Sequence, residues 1–266
     1  MEFLEYTFFR NAILGILFNS ICAAIIGTYI ISRRMVAITG GITHACFGGL
    51  GLGYFLGFNP VVTASVFAVF SALGVEWMSL RHRVREDSAI AVIWAFGMAI
   101  GVLFVFLTPG NVPELNAFLF GNLLTITSAD IIVFAIYTAL LLLIYAVAFR
   151  MVVAAAFDRD FATVVGLPVK LLNTLMTVMV AIGVVLTIRM VGIMLLMSLF
   201  SLPQMIAETR CVRFRSMTVA AVAVSVVTCL SGLFVSAYID VPCSAVIVII
   251  QVLVFVVARI LSPRKN

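Results

Sequence analysis

His44 is the side chain best suited to coordination chemistry in this sequence. It lies in the stretch SRRMVAITGGITHACFGGLGLGYFLGFNP, Ser32 to Pro60, which opens on Arg33-Arg34 and continues apolar and glycine-rich. At helical rise, Arg34 and His44 stand at most about 15 Å apart along the axis, roughly half the thickness of a bilayer core. An ionisable group at that depth is expensive. It marks a pathway or binding site unless a neighbouring helix simply takes its hydrogen bond. A neutral imidazole there suits zinc and other borderline transition metals. Gly40-Gly41, just ahead of it, is expected to leave the helix short or broken, and such interruptions expose backbone groups at a site.

Other residue patterns are weaker. Met190, Met194 and Met197 fall at i, i+4 and i+7, a thioether stripe that would suit Cu(I), although methionines at this spacing in a membrane helix are far more often packing. Gly49, Gly53 and Gly57 lie four apart and present one small face to an approaching helix. Glu76, near the end of an apolar run, is expected at headgroup level or paired with an arginine, and His82 is expected in solvent. The five cysteines, Cys22, Cys46, Cys211, Cys229 and Cys243, are scattered without C-x-x-C spacing and read as small buried residues. No G-x-x-x-x-G-K-[ST] occurs, so the chain has no P-loop to hold ATP phosphates.

Composition dictates the elements that position these groups. Hydrophobic residues make up 64% of the 266 residues and charged residues 10%, far from the balance of a soluble domain. The expectation is a single all-α, polytopic transmembrane domain over 1–266, with no separate soluble domain. The N-terminus carries two acids and one arginine before its apolar run, unlike the basic start of a cleaved signal peptide. Apolar runs place spans at about 11–32, 42–58, 60–80, 88–108, 129–149, 171–188, 190–207, 216–238 and 242–260. That is roughly nine, or eight if the run around Arg189 does not divide. Basic residues cluster in alternate loops: Arg33/Arg34, Arg81/Arg83/Arg85, Arg150/Arg159/Lys170, Arg210/Arg213/Arg215 and Arg259/Arg264/Lys265. The loops between them carry none. By the positive-inside rule the N-terminus lies outside and the C-terminus in the cytoplasm. The net charge of +5 is therefore a topology signal and no argument for nucleic-acid binding.

The cytoplasmic loop after the fifth span reads FDRDFATVVGLP. Asp160, Ala162 and Gly166 fit acid-x-Ala-x-x-x-Gly. An acid near the N-terminal end favours the helix dipole, Ala162 keeps one face slim, and Gly166 with Pro168 stops the helix. The alternative is an ordinary surface helix.

This loop resembles the coupling loop by which ABC importer permeases engage their ATPase. Further blocks resemble the permeases of ABC-type zinc, manganese and iron uptake systems: Ser32–Met35, Gly41–Ala45 with the glycine run to Gly57, Phe118–Leu124, Met190–Ile193, Ser201–Ala207 and Ser236–Pro242. They occur in family order and cover most of the chain. The resemblance implies the ABC importer permease fold and a non-enzymatic subunit of a multi-pass bacterial inner-membrane transporter. It implies a homodimer around one pathway, a cytoplasmic ABC ATPase that hydrolyses the ATP, and an extracytoplasmic metal-binding protein. Asn116–Asn122 would form a short extracytoplasmic helix where that protein docks. The cargo would be a divalent transition metal, zinc first, with manganese or iron as alternatives, and no permanently bound cofactor. His44 matches a family histidine of the permeation path. The aspartate that usually stands four residues before it is Gly40 here, which removes a carboxylate from the ligand set. Asp240 matches a family aspartate and would draw cations at the entrance; an Asp before Val-Pro is also a common turn former. Two other classes fit less well. An ion-coupled secondary carrier needs intramembrane carboxylates, which are scarce here, and an intramembrane enzyme needs a nucleophile–base constellation that His44 lacks.

Overall fold

The computed structural model describes residues 7–82, 84–109, 121 and 126–262. Among them every regular element is helical. The helices are α1 (Thr7–Ser32), α2 (Ala37–Leu56), α3 (Pro60–His82), α4 (Glu86–Leu107), α5 (Ser128–Phe157), α6 (Arg159–Val164), α7 (Val169–Leu199), α8 (Leu202–Glu208), α9 (Phe214–Ile239) and α10 (Cys243–Ile260). Among the described residues, seven stretches are long and apolar enough to cross a membrane, with Val169–Glu208 counted as one. The short α2, at 20 residues, spans about 30 Å but is diluted by its glycines. Apolar side chains on α3, α4 and α10 remain bare, as a lipid-facing surface requires, whereas α1 is mostly buried. The expected boundary at Arg189 falls instead at Gly192 (φ 76°, ψ 172°), where α7 is kinked. A charged side chain does not end a helix by itself. A left-handed residue does, and glycine takes that conformation without strain.

Two compact units make up the chain. The first draws on Met1–Ile31, Ala117–Val147 and Met190–Asn266, the second on Ser32–Asn116 and Ala148–Arg189.

The first unit is joined by buried polar contacts. Ser225 Oγ meets Ser20 Oγ at 3.0 Å, and Gln204 Nε2 donates to the Ala23 carbonyl at 2.6 Å. Gln251 bonds Ser198 and, at 3.2 Å, the Thr228 hydroxyl. Ala24, Ala207, Met217 and Ala221 fill the space between them. Lipid tails are as apolar as leucine, so hydrophobic burial gives no preference for one helix partner. Interhelical hydrogen bonds, worth about 0.6 kcal/mol each, and close packing supply it.

The second unit is built on small residues. Gly48, Gly51, Gly97 and Gly101 let α2 and α4 meet backbone to backbone. A Cβ at Gly48 would lie 2.8 Å from the Gly97 carbonyl oxygen, and one at Gly51 would lie 2.5 Å from that of Gly101. On a second face, Gly49 and Gly53 receive α3, with Gly49 against Thr63 and Phe67. Gly57 stands apart from this face. It is the left-handed C-cap of α2 (φ 71°), with open space around it.

The helix break expected at Gly40-Gly41 is absent: α2 runs unbroken from Ala37 to Leu56. Gly41 instead accommodates Ile90, whose Cγ2 lies 2.5 Å from where a Cβ would sit. Here glycine serves proximity. The backbone departs from helical geometry earlier, at Arg34, which is left-handed (φ 57°).

This packing predicts an asymmetry among glycines. Gly97→Leu would drive a side chain into the Ala45 backbone, 2.5 Å from its Cα, and should destabilise by about 1–3 kcal/mol. Gly74→Ala, whose Cβ would meet Ile93 at an ordinary 3.4 Å, should be tolerated. Thermal unfolding of both variants in detergent, followed by fluorescence, checks the contrast; equal melting points would refute it.

Candidate functional site

The α2–α4 contact fixes the surroundings of His44. Its imidazole lies flat on the Trp94 indole of α4, with ring centroids 4.4 Å apart and planes within 5°. Stacking covers one face of the ring and leaves the nitrogen-bearing edge to select a partner. His44 itself is partly exposed. The preceding Thr43 is fully buried, and its hydroxyl has no hydrogen-bond partner among the described residues. Among the described residues no group of three His, Cys, Asp or Glu side chains converges on a point. Among the described residues, then, His44 belongs to no preformed three-ligand site. Gly40, buried in the first turn of α2, supplies no ligand.

The other expected site residues fall into two places. Asp240 is exposed in the first unit, caps α9 in a left-handed conformation (φ 52°), and is followed by Val241, whose N–H bonds the Ser236 carbonyl. Its backbone makes the turn and its carboxylate faces outward. Asp160 and Ala162 lie on α6, and Gly166 follows two residues past its end. Asp158 is the N-cap, its carboxylate accepting the Phe161 N–H at 2.9 Å, while Asp160 sits exposed in the first turn. Ala162 is fully buried. At the far end the Gly166 N–H bonds the Thr163 carbonyl and the Leu167 N–H bonds the Ala162 carbonyl, each at 3.0 Å, with Gly166 left-handed (φ 83°). This Schellman closure satisfies the last carbonyls of the helix. Phe161, Val164 and Val165 stand bare on its surface, Val164 at 86% exposure.

A family model described as "ABC 3 transport family" matches residues 5–262. The chain belongs to the ABC 3 transport family. Among the relatives of this family member, the chelated iron transport system membrane protein YfeD of Yersinia pestis is 32% identical, over 98% of this chain and 87% of its own length. The manganese transport system membrane protein MntC of Halalkalibacterium halodurans is 27% identical, covering 100% and 91% respectively. An uncharacterized membrane protein of Synechocystis is 32% identical over 97% and 92%. PsaBC from Streptococcus pneumoniae, solved in complex with Fab, shares the fold with a TM-score of 0.86 at 24% identity, covering 99% of this chain and 96% of that one. Family membership sets aside the ion-coupled carrier.

In this ABC 3 family member the methionine stripe does not form. Met190 is buried, with its methyl group against Gly15, whereas Met194 is exposed, and the Gly192 break between them destroys the helical register. Glu76 is partly buried and accepts from the Thr174 hydroxyl at 3.3 Å. The nearby Arg33 pairs with Glu86. His82 is exposed, edge-on to Trp77. The expected docking helix at Asn116–Asn122 lies outside the described residues, except for Gly121. Nothing in the sequence ties Trp94 to His44 or Glu86 to Arg33 and Arg159; these pairings arise only in the fold.

Trp94 should hold the His44 ring in place. His44 and His82 are the only histidines, so a His82→Gln background isolates one imidazole. Adding Trp94→Ala should raise the rate of His44 acylation by diethyl pyrocarbonate several-fold. An unchanged rate would show that stacking does not restrain the ring.

Proposed function

We propose that this chain is the permease subunit of an ABC importer for a divalent transition metal. It works as a pair of identical subunits, with a cytoplasmic ATPase supplying the energy and an extracytoplasmic binding protein delivering the ion. The observation that carries the reading is His44, a lone imidazole held against Trp94 on a glycine-packed membrane helix. The names of relatives support a metal cargo, manganese for one and chelated iron for another. Zinc rests on the imidazole alone. Two symmetry-related His44 side chains would give two ligands, a weak site. Weak binding suits a pathway the ion must leave. The capped helix α6, with its bare Phe161 and Val164, offers a preformed apolar surface for the ATPase.

The orientation follows from the basic loops, with the N-terminus outside and the C-terminus in the plasma-membrane cytoplasmic face. In this reading Lys170 and Arg210 share the cytoplasmic side, so the stretch between them, kinked at Gly192, would cross and return. Asp240 then lies on the outer side, where an exposed carboxylate attracts cations.

His44→Ala should cut metal uptake by about tenfold or more, equivalent to ~1.4 kcal/mol, at unchanged protein abundance. Cellular manganese, iron and zinc, measured in a deletion strain carrying each variant, identify the cargo. Wild-type contents in His44→Ala at equal expression would remove this residue from the pathway. Gly40→Asp restores the carboxylate and should tighten metal retention, read as slower release of radioactive metal from reconstituted vesicles.

Gly166→Val strains the left-handed closure of α6 by about 1–2 kcal/mol. In proteoliposomes it should lower the amount of metal moved per ATP hydrolysed while the subunit stays in the membrane. Unaltered transport would mean that α6 is an ordinary surface helix.

A further inference from the structure

Two of the basic loop residues converge on one carboxylate. Glu86 Oε1 accepts from Arg33 Nη2 at 3.2 Å and faces Arg159 Nη1 at 3.5 Å. These are the two salt bridges among the described residues. Arg33 is remote in sequence from Glu86, and its side chain is 6% exposed against 29% for Glu86 and for Arg159, so the Arg33 arm is the better shielded of the two from salt screening. The three residues, with Glu76, line one small cavity of the second unit.

Position gives the cluster its meaning. Arg159 is the first residue of α6, Glu86 the first of α4, and Arg33 stands in the turn that leads into α2. Trp94 lies about two turns further along α4, and His44 about two turns into α2. The two helices are also locked to each other by the glycine contact. A displacement of α6 therefore reaches the helices of the His44–Trp94 pair through one carboxylate.

We propose that Glu86 is the positioning residue that transmits movement of α6 to α2 and α4, and so couples ATP hydrolysis to passage of the ion. The proposal rests on the reading of α6 as the ATPase-docking helix. Glu86 touches neither metal nor nucleotide in this scheme. It acts through the two guanidinium groups. Its loss alters how work is transferred and leaves assembly intact.

The test uses the complete transporter, with its ATPase and binding protein, in proteoliposomes. Glu86→Gln keeps the shape and removes the charge. ATP hydrolysis should stay within about twofold of wild type while metal moved per ATP falls about tenfold or more. Glu86→Asp, which retains the charge, should recover part of the ratio. Arg159→Gln, which severs only the α6 arm, should lower the ratio in the same direction. A ratio within twofold of wild type in Glu86→Gln overturns the proposal. If Glu86→Gln does not assemble, Arg159→Gln decides alone, and a wild-type ratio there overturns it equally. A photo-crosslinking amino acid at the exposed Val164 separates the two levels of argument. Absence of a crosslink to the ATPase sinks the docking reading. A crosslink together with an unchanged ratio sinks only the role of Glu86.

Discussion

The close approach of α2 and α4 is the constraint from which the rest of the second unit follows. Within lipid, two helices gain nothing from hiding apolar surface from each other, so they associate where their backbones can touch. Gly48, Gly51, Gly97 and Gly101 provide that contact, and Ala45 fits beside Gly97. The spacing then brings Trp94 over His44 at stacking distance. A larger residue at any of these glycines would push apart the two helices that define the site. The glycine-rich composition that made α2 look fragile is what lets α4 come close enough for Trp94 to stack on His44.

Polar atoms play the complementary role in the first unit. Ser20, Ser225, Gln204, Gln251 and Thr228 are buried, and each finds a partner on another helix or on backbone. Together with the small-residue contacts they specify which helix sits beside which, a choice that apolar side chains alone leave degenerate. Cys22 belongs to this set, since its sulfur lies 3.1 Å from the Thr138 hydroxyl. The reading of the cysteines as buried small residues agrees with Cys22, Cys46 and Cys229; Cys211 and Cys243 are partly exposed.

The helical class and most spans were legible because apolar runs and basic loops act over whole segments and tolerate local noise. The α6 motif was legible for a similar reason: Ala162 and Gly166 have roles fixed by local geometry. The error at Gly40-Gly41 came from treating glycine as a breaker when its neighbour decides. Only the approach of Ile90 reveals Gly41 as a contact residue, and Ile90 is distant in sequence. Arg189 misled in the opposite sense, because a charge in an apolar run draws attention while Gly192, a few residues on, carries the backbone change. The Arg33–Glu86–Arg159 cluster was invisible for the same reason as Trp94. Each depends on pairing across long sequence separation, which periodicity and composition do not encode.

Helix α6 has one further consequence. A six-residue segment is far too short to persist as an isolated helix in water. Here its first turn is closed by the Asp158 carboxylate, its last by the Gly166–Leu167 amides, and its middle is anchored by buried Ala162. Folding of the membrane subunit has thus already met the ordering entropy of this segment, about 1–2 kcal/mol per residue. If α6 docks a partner as proposed, that partner meets a finished surface, and affinity then depends on shape and apolar contact, with no induced folding to slow recognition.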